Sequence, residues 1–96
     1  MTVLSVERFA VAVGAEAEFG SLLADLLATV RGQPGLLWAD GAPADGAGFI
    51  VVSEWRTAAD LDAWEGSDAA AAWDESVDPL LTADRGRRRF APLALP

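Results

Sequence analysis

The side chains in this sequence that suit chemistry are few. They are four tryptophans (Trp38, Trp55, Trp64 and Trp73), the charged residues Arg8 and Asp74, and the basic run Arg85-Gly86-Arg87-Arg88-Arg89. Indole faces stack on flat rings and the indole N–H donates a hydrogen bond. Arginine binds anions through its planar fork, and an aspartate serves as a base where burial raises its pKa. The omissions narrow the chemistry further. The chain has no Cys, His, Tyr, Lys or Asn. Thiolate metal sites, disulfides and cysteine nucleophiles are excluded, and so are the usual near-neutral base and phenolic acid.

Charge restricts the partners. Fifteen acids face seven arginines, for a net charge of −8. Nucleic acid and anionic membranes are therefore poor partners, because phosphate binding relies on clustered cations. The Arg85–Arg89 run is the local exception. It suits an anionic ligand, or more simply pairs with surface acids and guards an edge strand. Asp40, Asp45, Asp60 and Asp62 show no metal-ligand spacing, and no metal is expected. Gly46-Ala47-Gly48 lacks the strand–helix setting of a phosphate loop and reads as a turn.

The elements that position these residues follow from periodicity. At 96 residues the chain is expected to be one domain, 1–96. Its 52% apolar content is high for so small a domain and leans toward association. Val3 to Val13 reads as a strand with two largely apolar faces, Glu7 and Arg8 pointing to opposite sides. Phe19, Leu22, Leu23, Leu26, Leu27 and Val30 trace one face of a helix over Ala15 to Arg31. Gln33-Pro34-Gly35 is a turn, Leu36 to Ala39 a short second strand, and Asp40 to Gly48 an exposed hairpin loop.

Phe49 to Trp55 is the third strand. Thr57 stands at a helix N-cap with Asp60 three residues on, as in a capping box. That helix carries Leu61 and Trp64, pauses at Gly66, and resumes from a Ser67 cap through Trp73, Val77 and Leu80, with Pro79 limiting it or opening a further short turn. Arg87 to Leu93 is the last strand, with Pro92 marking an edge or bulge position. The order β-α-β-β-α-β predicts an α+β, ferredoxin-like fold with an antiparallel sheet and the helices on one face. No basic leader precedes an apolar segment, and no apolar run approaches a membrane span, so a cytoplasmic protein is expected.

From about Val3 to Leu93 the chain resembles the antibiotic biosynthesis monooxygenase (ABM) family. The resemblance rests on the first helix, on Gln33-Pro34-Gly35-Leu36-Leu37, on Phe49-Ile50-Val51-Val52-Ser53-Glu54-Trp55, and on Ala59-Asp60-Leu61-Asp62-Ala63-Trp64-Glu65-Gly66-Ser67. It implies a dimeric α+β barrel: a homodimer whose sheets face one another, with a pocket in each protomer between sheet and helices. Family activities range from quinone-forming oxygenation to haem degradation. The haem-degrading branch has a His about ten residues after the Trp matching Trp64. Here that position is Asp74, a poor axial ligand, so haem breakdown is not expected.

The resemblance thus implies cofactor-independent monooxygenation of a small apolar aromatic molecule such as a phenol or hydroquinone. An electron-rich aromatic anion reacts with O₂ directly, so the site must bind the ring, favour the anion and exclude water. Arg8 and Asp74 are the candidate catalytic residues, and Trp38, Trp64 and Trp73 the candidate substrate-binding residues; no cofactor is expected. Each has a plainer reading. Trp55 and Trp64 suit core anchors, Trp73 suits core, pocket or dimer contact equally, and Asp74 suits an exposed helix surface. Two further functions fit the same residues: a non-catalytic small-molecule-binding or stress-related module, and an isomerase or cyclase drawing on Asp74, Glu7 or Glu54.

Overall fold

Alternating side chains on the first strand decide the layering. In the computed structural model, which describes residues 1–46 and 48–92, β1 (Val3–Ala10) turns Ser5, Glu7 and Phe9 toward the helices. Leu4, Val6 and Arg8 point the other way. β1 pairs antiparallel with β3 (Gly48–Trp55) on one side and with β4 (Gly86–Phe90) on the other. β2 (Leu36–Ala44) adds to the far edge of β3, giving the order β2-β3-β1-β4. The helices α1 (Glu16–Val30), α2 (Ala58–Glu65) and α3 (Asp68–Val77) cover one face of this sheet. This is the expected α+β ferredoxin-like arrangement. No described helix is long and apolar enough to cross a membrane.

Two apolar clusters hold the layers together. Phe9, Val11 and Val51 meet Phe19 and Leu23 of α1 and Trp73 and Val77 of α3. Toward the other end, Trp55 and Ala39 pack with Val30 and with Leu61 of α2. Trp55, Phe19, Leu61 and Val77 are fully buried. Fully burying side chains of this kind contributes about 1.5–3 kcal/mol each relative to exposure.

The caps form as the sequence predicts. Thr57 Oγ1 accepts from the Asp60 N–H at 3.1 Å, and Ser67 Oγ accepts from the Ala70 N–H at 3.2 Å. Gly66 separates α2 from α3. Pro79 lies in a single 3₁₀ turn, Asp78–Leu80, that follows α3.

Three boundaries differ from the sequence pattern. β1 ends at Ala10; Val11 makes an isolated bridge to Leu81, and Val13 is almost wholly exposed. The second strand does not stop at Ala39 but continues through Asp40–Ala44, the residues whose composition suggests a loop. The edge of β3 offers backbone partners along this whole length, from Asp40 opposite Val52 to Ala44 opposite Gly48. Pro43 is tolerated because β2 is an edge strand. Gly41 lets α1 lie close: a Cβ there would stand 2.9 Å from Leu23. The turn is thereby reduced to Asp45 and Gly46 with the residues around them, Gly46 taking φ +71°; Ala47 lies outside the described residues. The last strand is Gly86–Phe90, shorter than expected, and Leu93 lies outside the described residues.

Candidate functional site

The helix-facing side of β1 carries one acid in an otherwise apolar row. Glu7 lies between Ser5 and Phe9, and its register partner on β4 is Arg87. Because β-strands alternate, Arg87 and Arg89 share the helix-facing side of β4, and Arg85 just precedes the strand. Across from them, α2 presents Asp62 and Glu65, and α3 presents Asp74.

The result is a charged seam between sheet and helices. Glu7 Oε2 lies 3.5 Å from Arg87 and 3.9 Å from Arg85. Arg85 pairs closely with Asp74. Arg87 reaches Glu65 at 3.6 Å, while Arg89 reaches Asp62 at 2.7 Å and Glu65 at 3.1 Å. Burial pushes the Glu7 carboxyl above its ordinary pKa, outweighing the opposing pull of Arg87 and Arg85; the nearby Asp74 charge adds to the rise. The hydrogen bond to Asp62 raises the Arg89 pKa above its ordinary value.

Arg85 is the centre of this arrangement. Its guanidinium carbon stands 5.7 Å from the Phe9 ring centroid. Phe9 in turn meets Trp73 edge-on at 5.9 Å, and Phe19 meets Trp73 at 5.7 Å. Arg85 Nη1 is buried and, among the described residues, has no acceptor within hydrogen-bond distance; Glu7 Oε2 stands 3.9 Å from it. A buried donor left unpaired is costly and calls for an explanation. The same residue lines a polar depression of about 560 Å³ formed by Asp78, Leu81, Thr82, Ala83 and Asp84. A second depression of about 610 Å³ adjoins it across Thr82 and Asp84 and reaches Phe9, Phe49 and Arg8. Both volumes fall in the range of small-molecule sites.

The residues that the sequence singles out fall in different places. Asp74 joins the seam through Arg85. Trp73 is buried behind it against Phe9 and Phe19, and also lines a groove of about 240 Å³ between α1 and α3. Trp64 stacks on Trp55, with ring centroids 6.4 Å apart, at the other core cluster. Arg8 and Trp38 lie on the helix-free face, Trp38 half exposed and donating from Nε1 to Glu54 Oε1 at 2.8 Å. The five candidates therefore do not form one site. Of the basic run, Arg85, Arg87 and Arg89 pair with acids, while Arg88 lies on the helix-free face beside Val6 and Arg8.

Glu7 and Arg85 carry more of the site than the sequence pattern assigns them. Two signals mark them: an acid in an apolar strand, and arginines at period two. Among the described residues, no group of three acids is placed to hold a metal ion.

The family model for antibiotic biosynthesis monooxygenases matches residues 2–76. The chain belongs to this family. No curated protein matches it. Among solved structures, Rv0793 from Mycobacterium tuberculosis is 25% identical, with a TM-score of 0.90 over 99% of this chain and 98% of that one. A variant of SnoaB, a cofactor-independent oxygenase from Streptomyces nogalater, is 22% identical, with a TM-score of 0.84 over 98% and 95%. A conserved protein from Methanosarcina mazei is 15% identical, with a TM-score of 0.89 over 94% and 91%. The last two likenesses show that this ABM protein shares their fold.

Proposed function

We propose that this ABM protein is a cofactor-independent monooxygenase acting on an electron-rich phenol or hydroquinone, with Arg85 and Glu7 at the reacting oxygen. The observation that carries this reading is the buried Nη1 of Arg85, which faces the buried Glu7 carboxylate at 3.9 Å without a hydrogen bond. A phenolate oxygen is the acceptor that Nη1 lacks. Glu7 takes the phenol proton, burial having raised its affinity for a proton, and Arg85 holds the resulting anion. The carbanion-like ring carbon gives electrons to O₂ and bonds to one of its oxygen atoms. Loss of the ring hydrogen and cleavage of the O–O bond leave a quinone, and the second oxygen departs as water. Phenol and O₂ thus balance quinone and water, with O₂ as the only oxidant. Phe9 and Trp73 supply the apolar wall behind Arg85.

The test is O₂ uptake with a panel of anthrols and hydroquinones, with the quinone identified by mass spectrometry. A rate equal to buffer across the panel counts against the reading. A second reading is an isomerase or cyclase, favoured by the way Glu7 and Asp74 both reach Arg85. Turnover of the same panel under argon distinguishes it. Tight binding without turnover in either atmosphere supports a binding module.

A homodimer is part of the proposal. The helix-free face exposes Trp38 and Phe90 beside Leu4, Val6, Ile50 and Val52. Arg8 and Arg88 lie toward the β4 edge and Asp40 and Glu54 toward the β2 edge. A two-fold axis lying in the plane of this face and running along the strands packs sheet against sheet and sets the basic edge of one copy against the acidic edge of its partner. Sedimentation at micromolar concentration tests this. A cytoplasmic setting goes with this reading, since the chain has no Cys for a disulfide framework; cell fractionation tests that.

A further inference from the structure

We propose that β4 is a salt-sensitive strap that controls access to Arg85. All five residues of β4 are exposed in the single chain, and among the described residues the strand pairs with β1 alone. Its one large apolar residue, Phe90, stands opposite Leu4 and contributes to the helix-free face. What ties β4 to the helix layer is therefore ionic: Arg87 to Glu65, and Arg89 to Asp62 and Glu65, with Arg85 to Asp74 at its upstream end. The opposite edge strand differs in kind. β2 buries Ala39 in the core and receives Leu23 of α1 against Gly41.

The hinge of the strap is also visible. The Thr82 N–H donates to the Ala10 carbonyl at 2.9 Å, and Leu81 bridges Val11, so the chain is pinned up to Thr82. Loosening is thereby confined to the stretch that follows, which carries Arg85 and borders both depressions at Asp84. Ion pairs between partly exposed side chains weaken as the screening length falls from about 10 Å at 0.1 M salt to about 3 Å at 1 M. Apolar packing responds in the other direction or not at all. Salt thus acts on β4 selectively, where denaturant acts on the whole fold.

Access to Arg85 matters for turnover only if the reaction proposed above is correct. The strap itself is read without substrate, so the two can fail separately. The experiment is hydrogen exchange on the full chain at 0.1 M and 1 M NaCl, for wild type and for the double variant R87Q/R89Q. In wild type, high salt speeds exchange of the β4 amides about tenfold, while the α1 and β3 amides change less than twofold. The double variant exchanges rapidly in β4 at low salt and gains nothing from added salt. The proposal is overturned by β4 exchange that ignores both salt and substitution, or by β4 and α1 accelerating together, which reports global unfolding.

Discussion

Replacing Arg85 by glutamine removes the cation that Glu7 and Asp74 share. The guanidinium lies 3.9 Å from Glu7 Oε2, and both side chains are more than four-fifths buried. At an effective dielectric constant near 20, two charges at this distance attract by roughly 4 kcal/mol before desolvation is counted. Arg87 remains 3.5 Å from Glu7 in the variant and keeps part of that compensation. The Asp74 pair contributes less, about 0.5–1 kcal/mol, because Asp74 is more than one-third exposed. The contact with Phe9 adds about 0.5–1 kcal/mol. Relief of the unpaired Nη1 offsets about 1–3 kcal/mol of the loss.

The net expectation for R85Q is a loss of about 2 kcal/mol in a urea melt. For a domain of this size that lowers the melting temperature by roughly 10 °C. R85K keeps the charge but not the fork, and should recover about half of the stability. If Arg85 also holds the phenolate, R85Q loses about 10²–10³ in kcat/KM at temperatures where it is folded, and R85K recovers only a small part. An R85Q protein within about 0.5 kcal/mol of wild type and within about twofold of its oxygenation rate would show that Arg85 neither compensates Glu7 nor holds the phenolate.

Glu7 should leave a signature in the pH dependence of stability. Folding raises its pKa, so the folded state holds the proton at a pH where the unfolded state has lost it. Stability therefore falls as pH rises from 4.5 toward the raised value. E7Q should lack this component when melts of the two proteins are compared from pH 4 to 8. Gly35 has φ +84°, and a Cβ would stand 2.3 Å from the Asp60 carboxyl, so G35A should lose more than about 1 kcal/mol in denaturant. T57A, which removes the α2 cap, should lose about 1 kcal/mol by the same measurement. R8E on the basic edge of the helix-free face should weaken a dimer about tenfold or more by sedimentation, and a further D40R should restore part of it.

Much of the fold was legible because it rests on local signals. The apolar stripe from Phe19 to Val30 requires a buried helix face. Thr57, Gly66 and Ser67 place the break between two helices through backbone capping alone. The Asp40–Ala44 segment was not legible. Its composition favours a loop, and only the free edge of β3 makes it a strand. The site divides in the same way. Sequence identifies tryptophans and arginines suited to an aromatic anion, but spacing cannot tell which face of a sheet a strand residue takes once its register is unknown.

The family, the order of elements and the chemistry that is out of reach without His, Cys or Tyr can all be read from the amino-acid sequence. Those follow from residue types and short-range periodicity. The packed sheet is what puts Arg8 and Trp38 on the helix-free face and brings Glu7, Asp74 and Arg85 together, although Glu7 and Arg85 stand 78 positions apart in the chain. That meeting depends on β4 returning beside β1 in a register that sets Arg87 against Glu7. It is a long-range pairing, fixed by the whole packed sheet and not by any stretch of sequence alone.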